Sequence, residues 1–190
     1  VGEDKEINVN MENSDGQHAI DVALLPDIPN KRLILEGLFC RGFDLNLIED
    51  KKDVADKLVE LRVFKVAFEI AMNLIEKNKY NEVSTIGFRL AKNGMAEEAK
   101  EIAMKMIEKN EFYEARQIGV ELAENGRVEE AREIAMNLIE KNASGGVGQI
   151  GVKLAEKGYK EAKEIAMNLI GKNELFEVWE IGVALAENGG

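Results

Sequence analysis

The sequence predicts an all-α protein, a right-handed α-solenoid of helix–turn–helix repeats, and three recurring strings predict it. Glu-Ile-Ala-Met begins at Glu69, Glu101, Glu133 and Glu164, at separations of 32, 32 and 31 residues. Ile-Gly followed by Leu-Ala occurs at Ile86-Gly87, Ile118-Gly119, Ile150-Gly151 and Ile181-Gly182, with the same period. A third marker is the glycine closing each of these stretches, at Gly94, Gly126, Gly158 and Gly189. Coincident markers at one period of this length signal stacked supersecondary units.

Each unit reads as two helices. Helix A spans roughly Glu82–Asn93, with Val83, Ile86, Gly87, Leu90 and Ala91 along one stripe at helical spacing. Asn93-Gly94 ends it, because glycine enters the left-handed conformation cheaply. Helix B spans roughly Ala96–Lys109 and turns Ala99, Ile102, Ala103, Met106 and Ile107 inward. Glu101 and Lys105 on its outer face predict an i,i+4 pair. Lys-Asn pairs at Lys77, Lys109, Lys141 and Lys172 punctuate the end of every helix B.

An earlier unit is recoverable, since Ala55, Leu58, Val59 and Ala67 precede Gly87, Leu90, Ala91 and Ala99 by one period, with Arg62 at the turn-glycine position. The mid-helix glycines each cost about 1 kcal/mol against alanine. That cost is tolerable where another helix comes close, and Ala99, Ala131 and Ala162 are the expected opposing residues. Gly145-Gly146-Val147-Gly148 lacks the lysine and hydroxyl residue of a phosphate loop, and reads as a frayed or kinked start to the fourth helix A.

Residues 1–29 follow another regime. Ile7, Val9 and Met11, and then Ile20, Val22 and Leu24, alternate with polar residues on either side of Asp15-Gly16. That pattern predicts a short β-hairpin, with a disordered tail as the competing reading. After Pro26 and Pro29, residues 30–50 read as a capping helical segment in which Cys40 is a buried small hydrophobe. Residues 51–190 carry the repeats. The last unit has a helix A and no helix B, so Ile181, Gly182, Leu185 and Ala186 are expected to face solvent, with Leu175, Phe176, Val178 and Trp179 nearby. This predicts either self-association, a homodimer through Leu175–Ala186, or an end cut from a longer array.

The repeat resembles the tetratricopeptide repeat, carried by Gly87 with Leu90 three later, Gly94 in the turn and Ala99 five beyond, over roughly 51–189. It departs from that family in its shortened unit and in its unmet tryptophan and proline positions. The resemblance implies a concave groove lined by helix A residues that point away from helix B. The matching positions give a partner-binding set of Phe88, Lys92, Arg116, Val120, Trp179 and Val183. The family's clamp for a peptide carboxylate does not carry over, because Asp56, Thr85 and Tyr113 replace residues that it requires.

Composition narrows the function further. A net charge of −11 argues against nucleic acid and against an anionic membrane surface, and no apolar run is long enough to span a bilayer. The sole histidine, His18, and the sole cysteine, Cys40, cannot build a nucleophilic pair or a metal centre, so no catalytic activity, cofactor or metal is expected. The expectation is a cytoplasmic, non-catalytic protein–protein interaction scaffold for a protein or peptide partner. The alternatives are a nucleic-acid-binding helical repeat and a non-catalytic segment of a larger enzyme or regulator.

Overall fold

A computed structural model describes residues 8–48 and 50–188. Among the described residues the protein is all-α, with eleven helices packed against one another in a manner compatible with a helical repeat. They are α1 (Ala19–Ala23), α2 (Lys31–Cys40), α3 (Lys51–Glu60), α4 (Phe64–Glu76), α5 (Tyr80–Lys92), α6 (Ala96–Glu108), α7 (Phe112–Glu124), α8 (Val128–Glu140), α9 (Gly148–Glu156), α10 (Glu161–Gly171) and α11 (Leu175–Glu187). From α3 onward, substantial contacts join each helix to those one and two places away in the chain, and to none further. The odd-numbered helices α3 to α11 are the A type and the even-numbered ones from α4 to α10 the B type.

The boundaries follow from backbone chemistry at the helix ends. After each of α5, α7 and α9 a glycine adopts positive φ, and after each B-type helix an asparagine does so: Asn78, Asn110, Asn142 and Asn173. The next residue then donates its N–H to a carbonyl five back, as Met95 N to Leu90 O at 3.0 Å and Glu111 N to Met106 O at 2.9 Å. This Schellman pairing satisfies carbonyls that the helix leaves open. After α3 the same place is taken by Arg62 at φ 61°, where its β-carbon is crowded by its own backbone. Arg62→Gly is therefore expected to stabilise the protein by about 1 kcal/mol. Urea unfolding checks it.

The mid-helix glycines mark the closest approaches, and the opposing residue differs from expectation. A β-carbon at Gly119 would lie 2.7 Å from Ile150 Cδ1 and 3.1 Å from Ile134 Cγ2. The nearest neighbour is thus an isoleucine from the next A-type helix, and the second is an isoleucine of the following B-type helix. Ala131 is buried but is not among those closest atoms. Gly87 takes Ile118 and Ile102 in the same way, and Gly151 takes Ile181 and Ile165. Ala99, Ala131 and Ala162 are buried, while Gly87, Gly119 and Gly151 each form a notch for an isoleucine of the following A-type helix.

Two expectations about the first fifty residues are corrected. Ile20 and Val22 stand in helix α1, and no strand occurs among the described residues; Ile7 lies outside them. Asn13 Oδ1 accepts from the N–H groups of Asp15 and Gln17, closing a local turn, and Asp21 accepts from His18 N at 2.9 Å at the start of α1. Ile20 and Ala23, at i,i+3 spacing, then share one buried face. Val9 ahead of α1 and Phe43 and Ile48 after α2 join the same core, with Asp44 N donating to Asn10 Oδ1 at 2.7 Å. Cys40 is exposed, not buried, because it ends α2 on the side away from Leu35, the buried residue of that helix.

Candidate functional site

The six sequence-predicted site residues lie on three A-type helices: Phe88 and Lys92 on α5, Arg116 and Val120 on α7, Trp179 and Val183 on α11. Phe88, Val120 and Val183 occupy one repeat position, filled on α9 by Val152, and consecutive A-type helices touch. They therefore form a row along the stack and do not converge on one point. Phe88, Trp179 and Val183 are exposed, whereas Arg116 and Val120 are half-buried.

Phe88 and Lys92 are brought together. They line a shallow cleft of about 610 Å³ between α3 and α5, with Val59, Glu60, Thr85 and Arg89. Arg89 was missed by the sequence reading. Its Nε lies 3.1 Å from Asp56 Oδ1 and its Nη1 3.6 Å from Glu60 Oε1, so it ties α5 to α3 along the cleft floor. Lys52 meets the other oxygen of Asp56 at 3.3 Å. The cleft thus offers an apolar ring, an ammonium at Lys92 that makes no ion pair among the described residues, and a paired guanidinium, framed by carboxylates. Arg89 carries no periodic signal, since the positions equivalent to it are Glu121 and Lys153.

Further along the row the charges are mutually satisfied. Lys153 on α9 reaches Glu156 at 3.2 Å and Glu124 of α7 at 3.3 Å. Hydrogen bonds to Glu156 first and Glu124 second raise its pKa above the ordinary lysine value. The Lys153 end of the α7–α9 link therefore stays charged through neutral pH, and on the alkaline side the link loosens as the pH climbs through that raised value.

Arg116 has a different part to play. Its Nη1 donates to Gly145 O at 2.8 Å, and its guanidinium stacks 4.9 Å from the centroid of the Tyr113 ring. It anchors the loop between α8 and α9. That loop replaces the Phe112-Tyr113 start of the preceding A-type helix with Ser144-Gly145, and α9 is correspondingly four residues shorter than α7 (9 against 13).

The glycines of this loop do form an anion-binding cradle, and a side chain of the protein already fills it. Gly146 N and Gly148 N each donate to one carboxylate oxygen of Glu177, both at 2.6 Å, and Ser144 Oγ donates to Glu174 Oε1 at 2.6 Å. Glu177 of α11 thereby caps the start of α9, where N–H groups lack helical partners, and Glu174, just ahead of α11, holds the Ser144 hydroxyl beside it. No free phosphate seat is left.

His18, far from the row, packs edge-on against Phe43 and lies 3.6 Å from Glu12. Among the described residues no three His, Cys, Asp or Glu side chains gather into a group that could hold a metal ion, and no helix is long and apolar enough to cross a membrane. On the outer face Lys105 pairs with Glu108 at 2.9 Å and not with Glu101. Comparison with protein-family models, with curated proteins and with solved structures found no match to this chain.

Proposed function

We propose that the protein is a non-catalytic interaction scaffold. Its helices stack as a right-handed, tetratricopeptide-like α-solenoid whose A-type helices line a groove for a protein or peptide partner. The observation carrying this reading is the α3–α5 cleft, where exposed Phe88 stands beside Lys92 and Arg89 on a surface free of catalytic groupings. Aromatic and arginine side chains are enriched at protein interfaces, and Phe88 and Arg89 supply one of each. The acidic residues recurring along the row, Glu60, Glu124, Glu156 and Glu187, favour a protein or peptide over a polyphosphate backbone.

The test has two steps. Affinity capture from native lysate with mass spectrometry supplies a partner, and the double variant Phe88→Ala, Lys92→Ala is then measured against it. Binding is expected to fall by about tenfold or more, equivalent to about 1.4 kcal/mol, with the helical circular-dichroism signal unchanged. Arg116 is a poor choice for this pair, because its loss would release the Gly145 loop. Unchanged binding by the double variant places the site elsewhere, and equal retention of immobilised RNA at physiological salt would favour the nucleic-acid alternative.

A further inference from the structure

Helix α11 presents a face that its counterparts on α5, α7 and α9 each bury against the next A-type helix. In each of those junctions the notch at the A-type glycine holds an isoleucine from two helices on: Ile118 on Gly87, Ile150 on Gly119, Ile181 on Gly151. Ile181 is accordingly buried, against the expectation that it faces solvent. At Gly182 a β-carbon would meet nothing within 4 Å. The notch is open.

Adjacent positions repeat the pattern. Ile107 and Ile139 on α6 and α8 are each 3% exposed, whereas the equivalent Ile170 on α10 is 55% exposed. Charge follows suit: Lys100 of α6 bridges to Glu133 of α8 at 3.1 Å, and Arg132 of α8 to Glu164 of α10 at 3.1 Å. Lys163 is the corresponding residue of α10, and it makes no ion pair among the described residues.

We propose that the α10–α11 face binds a helical hairpin of this same repeat pattern, supplied from outside the 190 residues. Its first helix would present a glutamate to Lys163, and its second would seat an isoleucine in the Gly182 notch. The surface continues an interface whose Ile–Gly seat is formed three times within the chain and whose ion pair is formed twice, and these set the shape and the charge of the occupant. Val9, Ile20 and Phe43 of the N-terminal segment share one buried core with the first unit, which disfavours head-to-tail docking of a second copy. The inference does not invoke the Phe88 cleft.

The protein carries its own reporter, because Trp179 is the sole tryptophan and is exposed beside this face. Residues 95–125 contain a B-type and an A-type helix with Glu101 and Ile118 in the required places, and serve as the probe. They are copied onto the full chain after Gly189, and are also added in trans as a peptide. The appended unit is expected to move Trp179 emission to shorter wavelength and raise the unfolding midpoint. Gly182→Leu in the extended chain should abolish both changes and, in trans, weaken the peptide about tenfold or more; Lys163→Glu should weaken it severalfold. Gly182→Leu by itself leaves the parent fold intact, as that position is open. An extended chain with the parent's emission and midpoint overturns the proposal. So does a parent chain whose sedimentation shows dimers that bury Trp179, which would give the face to a second copy.

Discussion

Gly119→Leu is expected to destabilise the protein by more than about 2 kcal/mol, the upper range for overpacking a filled core. Even a β-carbon there would press on Ile150 Cδ1 at 2.7 Å and Ile134 Cγ2 at 3.1 Å, and both isoleucines are fully buried. Leucine adds three further carbons to that space. Relief requires α9 to move off α7, which disturbs the hydrogen bonds of the Gly145 loop as well. Thermal or urea unfolding provides the measurement, with Gly182→Leu as the control, since the same substitution at the open notch should cost only the small difference in local conformation. Parent-like stability of Gly119→Leu would mean that the glycines are not set by close approach.

Glu177→Ala is expected to cost about 2–3 kcal/mol, because two N–H groups at the head of α9 lose a charged acceptor at once. Glu177→Gln should recover only part of this, since an amide offers one carbonyl oxygen in place of two. The loss is expected to appear first as faster hydrogen exchange at Gly146 and Gly148, before any change in global unfolding. Glu174→Ala, which removes a single acceptor from Ser144, should cost less than Glu177→Ala. Equal effects from the two would contradict the cradle geometry.

Much of this architecture was legible in the sequence because the apolar stripes recur with a long period that admits few other readings. Val83, Ile86, Leu90 and Ala91 are each fully buried, as their spacing required. Less legible was which helix each residue meets. The isoleucine ahead of every glycine was visible as a repeat marker, but its seat lies in the glycine of the previous unit, and a one-dimensional pattern does not name that partner. Ile20, Val22 and Leu24 misled for a related reason: over five residues an alternating pattern also suits one helical turn, and the capping by Asp21 decides between them.

The candidate site was half legible. Phe88 and Lys92 were placed by repeat position alone and do share a cleft. Arg116 occupies the same kind of position, yet its surroundings are particular to one unit, where Ser144-Gly145 stands in place of an aromatic pair and frees a carbonyl for it. Periodicity averages over units and so is blind to such exceptions. Arg89 was missed for the same cause.

The restriction of substantial contacts to helices one and two places apart has a mechanical consequence. Pulled from its two ends, the repeat region offers no bond that clasps one end to the other, so tension is borne in series and not shared. Extension should proceed as a staircase of small yields, beginning with the half-uncovered α11 and moving inward as each release bares the next Ile–Gly seat. Slackened, the chain meets only sequence-local partners on its way back, and low contact order makes the recoil fast. Each joint is thus expected to yield and re-form on its own, in sequence along the repeat region.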